Sequence, residues 1–133
     1  MVPLRQKKTK KQKLEETTYN PIICISSYHQ DKKIKELEAE YGFESVCYGH
    51  AGDGNLHVNI IKDNMDDDTW NNQLPQAIRE LFTEVVRLGG TISGEHGIGL
   101  VQTPYMDLAF SEIGLDLMRS IKQVFDPKTL LNP

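Results

Sequence analysis

The chain has 133 residues, 26% of them charged, and a net charge of −4. That length suits one domain with a core of its own, and no apolar run approaches the roughly 18 residues of a membrane-spanning helix. The charged N-terminus lacks the apolar stretch of a secretory signal.

Charge is unevenly spread. Arg5, Lys7, Lys8, Lys10, Lys11 and Lys13 supply six of the fifteen basic residues, leaving nine against nineteen acidic ones from Leu14 on. A basic tail can touch nucleic acid or an anionic membrane. This one has no interleaved aromatics, and the body behind it is acidic. Residues 1–20 therefore read as a disordered, solvated tail and 21–133 as the domain, with no nucleic-acid partner. Cys24 and Cys47 have no metal or redox spacing. Each sits in an apolar run and reads as a small buried hydrophobe, which makes a reducing, cytoplasmic compartment the default.

In chain order, Pro21 to Ser26 is short, apolar and β-branched, the pattern of a strand. Asp31 to Tyr41 carries Ile34, Leu37 and Tyr41 on one stripe with Gly42 just beyond, which predicts an amphipathic helix with a glycine stop. Ser45–His50 and His57–Lys62 read as the arms of a hairpin. The spacing puts Val46, Tyr48, His50, His57, Asn59 and Ile61 on one face and Cys47, Val58 and Ile60 on the packed one. Asp66, Asp67 and Asp68 lack the alternating ligands of a calcium loop and read as a solvated loop or helix start. A helix follows from Trp70 or Pro75 to Leu88, ended by Gly89-Gly90. Thr91 to Ser93 is predicted to be a short strand. Thr103-Pro104 suggests an N-cap with proline in the first turn. Ser111 is expected to cap a last helix with a stripe of Ile113, Leu117, Met118, Ile121 and Phe125, stopped by Asp126-Pro127. Strands and helices in alternation around a hairpin predict a two-layer α+β sandwich.

Two glycine-rich segments hold three of the four histidines. The fourth, His29, lies in a polar stretch and receives no role. In Gly49-His50-Ala51-Gly52-Asp53-Gly54-Asn55-Leu56-His57, a two-residue Asp53-Gly54 turn would pair His50 with His57, their Cβ atoms about 5 Å apart on one face. A single histidine in a strand is ordinarily a polar residue with a partner. Two across a tight turn can share a divalent metal. The segment Gly90-Thr91-Ile92-Ser93-Gly94-Glu95-His96-Gly97-Ile98-Gly99 adds a carboxylate beside an imidazole. Two imidazoles and a carboxylate suit zinc, manganese or iron with open positions. In that assignment His50, His57 and Glu95 are ligands, and His96 is free for proton transfer.

Three strings, taken together, carry a resemblance: Gly49 to Asn59, Gly94-Glu95-His96-Gly97-Ile98-Gly99, and Phe125-Asp126-Pro127-Lys128 with Leu130-Leu131-Asn132-Pro133. From Tyr41 onward the chain resembles the C-terminal part of FAD-linked oxidases of the vanillyl-alcohol-oxidase type, such as the D-lactate, glycolate and D-2-hydroxyglutarate dehydrogenases. The resemblance implies a ferredoxin-like sandwich, an antiparallel sheet with helices on one face. It implies that His50, His57 and Glu95 bind a divalent cation and that His96 is the base. It places Asn59 and Asn132 near the flavin, although the family's terminal Asn-Pro-Gly-Lys stops here at Pro133. It also implies oxidation of a small D-2-hydroxy acid with hydride transfer to FAD. No stretch of the chain resembles a flavin-binding domain. FAD would be bound mainly by a separate flavin-binding domain or subunit, and the chain is expected to be inactive alone. Self-association into a homo-oligomer stays open. A stand-alone metal-binding or structural interaction module without redox activity is the alternative reading.

Overall fold

The computed structural model describes residues 18–19, 22–24, 27–50, 52, 54–62 and 64–132, with backbone only before Asp31. The basic residues of the expected tail, and the side chains of Cys24 and His29, lie outside the described residues.

The order is β1 (Thr18–Tyr19), β2 (Ile22–Cys24), α1 (Ser27–Tyr41), β3 (Glu44–His50), β4 (Asn55–Ile61) and α2 (Leu74–Arg87). Three short helical segments follow: α3 (Gly99–Gln102), a 3₁₀ turn at Thr103–Tyr105 and α4 (Met106–Ala109). The last helix is α5 (Glu112–Phe125). All strand pairings are antiparallel, and β4 lies at the centre. β3 runs along one of its edges. β1 and β2 share the other in a single register, from Thr18 opposite Ile61 to Cys24 opposite Asn55.

The strand-helix-strand-strand-helix order and the one-sided helical layer make this an α+β two-layer sandwich of ferredoxin-like design. Val58 and Ile60 point from β4 into a core with Ile34 and Leu37 of α1 and Leu74, Ala77, Ile78, Leu81, Phe82 and Val85 of α2. Tyr105 closes one end, its ring meeting Phe82 edge-on at 5.2 Å. Polar ties join the same elements. The Tyr41 hydroxyl donates to Glu80 at 2.7 Å, Lys33 pairs with Glu80, and Ser45 donates from its N–H and its hydroxyl to Glu38.

Local chemistry explains the helix ends. Gly42 takes φ +71° after α1, and its N–H returns to the Glu38 carbonyl. Asp66 accepts from both the N–H and the hydroxyl of Thr69, opening the segment before α2. The neighbouring Asp67 and Asp68 pair with Lys62 and Asn72, so the three aspartates do not converge. A π-helical turn at Thr69–Gln73 feeds into α2. Pro75 lacks an N–H and crowds the carbonyl four residues back, which a widened turn relieves. α2 ends as the glycine pair requires: Gly89 at φ +83°, with Gly90 N–H bonded to the Val85 carbonyl, a Schellman closure.

Several expectations need correction. Thr91 makes an isolated bridge rather than opening a strand, and Ile92 is instead driven fully into the core. Thr103 does not cap a helix; its hydroxyl bonds back to the Gly99 carbonyl, because α3 already precedes it. Cys47 is exposed rather than buried: among the described residues β3 pairs only with β4, and the helices cover β4 instead. Ser111 does cap α5, accepting from Gly114 N–H. The predicted stripe on α5 forms, but no described residue covers it: Ile113 is 84% exposed and Phe125 81%.

Beyond α5, Asp126 organises the tail. Its carboxylate accepts from Lys122 Nζ at 2.6 Å and from the N–H groups of Leu130 and Leu131 at 2.8 and 2.9 Å. The Lys122 contact and the two N–H donors hold its pKa at about 2, below the roughly 3.9 of a free aspartate. A depressed carboxyl stabilises the fold fully above the unfolded value and loses that contribution as pH falls from about 4 to about 2. Amide exchange at Leu130 and Leu131 is expected to lose protection over that window. Asp126→Asn should lower protection several-fold already at pH 6, leaving β4 amides unchanged.

Candidate metal centre

The hairpin differs from the expected one in register. A four-residue loop, not a two-residue turn, joins β3 to β4, with Gly54 N–H bonded to the His50 carbonyl and Gly54 at φ +73°. His50 therefore lies opposite Asn55, and Tyr48 opposite His57. The shift is two residues, and side chains alternate with period two. Every side chain keeps its expected face, so His50 and His57 become diagonal neighbours with ring centroids 5.9 Å apart. Gly49 permits the close pairing beside them: a Cβ there would fall 2.0 Å from the Asn55 carbonyl oxygen.

His57 is only 5% exposed although it is on the face away from the core. Tyr48 stacks on it at 5.0 Å and 12°, and His96 leans against it at 5.2 Å. Glu95 arrives from the loop after α2, behind the buried Ile92. Its Oε1 lies 3.8 Å from Nε2 of both His50 and His57 and 3.5 Å from Nε2 of His96. One ligand atom from each of His50, His57 and Glu95 falls within 4.8 Å of the others. Ligands about 2.1 Å from a tetrahedral cation stand roughly 3.4 Å apart, so a small contraction would close this set around one ion. His50 and Glu95 are half-exposed or more, which leaves the outer side open.

Among the described residues, the buried side-chain polar atoms lacking a partner are His57 Nδ1 and Asn59 Oδ1. Both residues lie on β4 and alternate onto the same face. Unsatisfied buried groups are rare, and a water, a ligand or an ion satisfies them. Asn59 donates from Nδ2 to the Tyr48 hydroxyl at 3.0 Å. No described hydrogen bond or ion pair ties Asn132 to this cluster; it sits at φ +48° in the tail that Asp126 holds. Two residues of the cluster received no role in the sequence reading: Asn55 bonds Glu95, and Tyr48 roofs His57. Both could have been found from the strand alternation.

Residues 25–133 match the family described as FAD linked oxidases, C-terminal domain, and the chain belongs to that family. It is 40% identical over 102 residues to the glycolate oxidase subunit GlcD of Bacillus subtilis, an alignment covering 77% of this chain and 22% of the relative. It is 39% identical over 123 residues to a D-2-hydroxyglutarate dehydrogenase of Stutzerimonas stutzeri, covering 88% and 26%. A D-lactate dehydrogenase of Archaeoglobus fulgidus is 43% identical over 113 residues, covering 85% and 24%. The chain thus spans about a quarter of the length of these curated relatives.

Gly49→Ala is expected to force β3 away from β4 beside His50. The cost should be of the order of 1–3 kcal/mol, read by chemical denaturation, and cation affinity should fall with it.

Proposed function

We propose that this chain is the metal- and base-bearing part of a flavin-dependent D-2-hydroxyacid dehydrogenase of the D-lactate or glycolate kind. The observation that carries the reading is the convergence of His50, His57 and Glu95 on one point, beside His96, in a member of this family. A divalent cation, zinc or manganese or iron, would act there as a Lewis acid toward the substrate's hydroxyl and carboxylate oxygens, and FAD would take the hydride. His50, His57 and Glu95 hold the cation and leave positions open to substrate. His96 accepts the hydroxyl proton at Nε2. The charge it gains faces the Glu95 carboxylate, 3.5 Å away. Asn59, whose Oδ1 is buried without a partner, and Asn132 are the positions of this chain that would meet the flavin.

FAD itself is bound mainly by a flavin-binding region outside this chain, on the same or another polypeptide. The stripe of α5, which no described residue covers, supports such a partner, because a bare apolar helix face is unfavourable in water. Among the described residues no helix is long and apolar enough to cross a membrane. The exposed free thiol of Cys47 favours a reducing, cytoplasmic setting.

The purified chain is expected to bind one divalent cation and show no flavin absorbance. Chelation should lower its melting temperature, since a cation bound only by the native state stabilises it. Combined with a flavin-binding polypeptide of the family, the chain should support dye reduction by a D-2-hydroxy acid. His96→Ala should cut that turnover by about 10²–10⁴-fold with metal content unchanged. Loss of metal in the same variant would reverse the roles given to Glu95 and His96.

A further inference from the structure

Glu95 is half-exposed on a glycine-flanked loop. Left alone, its side chain would sample several rotamers, and fixing it would cost entropy. Asn55 removes that freedom. It is the first residue of β4, only 6% exposed, directly opposite His50 and on the same strand as His57. Its Nδ2 donates to Glu95 Oε2 at 3.0 Å. An ionised carboxylate only accepts hydrogen bonds, so the amide nitrogen, not its oxygen, must face it. With Oε2 engaged, Oε1 is the oxygen turned to Nε2 of His50 and His57.

We propose that Asn55 is a positioning residue of the metal centre: by holding Oε2 it makes Glu95 present Oε1 alone, as a one-oxygen ligand, to a divalent cation shared with His50 and His57. The inference rests on the metal-binding reading above. Without the Asn55 amide, Glu95 is free to chelate through both oxygens or to swing into solvent. Either change alters affinity through Glu95 and not through the histidines. Partners of this kind ordinarily matter about 10- to 100-fold in metal affinity.

Manganese(II) or zinc(II) titrated calorimetrically into the full 133-residue chain tests this with a double-mutant cycle. Asn55→Ala is expected to weaken binding about 10- to 100-fold. In a Glu95→Ala background the same change should add nothing beyond error, because Asn55 acts through Glu95. Equal losses in both backgrounds, or no loss in either, overturn the proposal. Asn55→Val, which suits a strand, repeats the cycle if the alanine variant misfolds, with the metal-free melting curve checking the fold. In metal-free protein, Glu95→Ala should shift the Asn55 side-chain amide resonances, and unmoved resonances would also overturn it. A parent chain that binds no cation defeats the metal-binding reading itself. A parent chain that binds, with a flat cycle, defeats the role of Asn55 alone.

Discussion

Strand β4 is hydrogen-bonded along both edges, to β3 on one side and to β1 and β2 on the other. A strand fixed on both sides cannot rotate, so its alternation is imposed on the whole molecule. Val58 and Ile60 have no exit but the core. Asn55, His57 and Asn59 are thereby fixed on the opposite face. The hydrophobic demand of one face is what holds the polar groups of the other in place.

The remaining site groups reach this strand by different routes. His50 and Tyr48 come through the hairpin, close in sequence. Glu95 and His96 come from a segment far along the chain, and three features deliver them. The Schellman closure turns the chain out of α2, Ile92 plugs into the core, and the glycines beyond allow the backbone to fold over His57. The result is asymmetric. His57 is covered by Tyr48 and His96, whereas His50 and Glu95 stay open. One imidazole is anchored and two groups of the cluster stay accessible from outside.

Helix α5 shows the opposite case, local structure without tertiary cover. Its cap, its stripe and its stop all agree with the sequence. Among the described residues the stripe meets little, and Leu117, Ile121 and Val124 remain exposed. Periodicity says that a helix has an apolar side; it does not say which surface that side meets. For a chain spanning about a quarter of its relatives' length, the partner of such a face need not be among its own residues.

By itself the sequence determined the hairpin strands and the three long helices, the capping and turn chemistry at Gly42, Gly89 and Ser111, and the faces of the hairpin residues. These follow from interactions within a few positions, where glycine, proline and alternation act directly. The nearness of His50 and His57 was legible for the same reason: a period-two face survives a two-residue error in register, so pairing them directly was wrong while placing them on one face was right. Tertiary structure alone decided that Asn55 meets Glu95, that Tyr48 covers His57, that Cys47 is exposed and that the residues after Thr91 forgo a strand. Each depends on which distant segment arrives and how much of the sheet the helices can cover, and distance along the chain carries no trace of that.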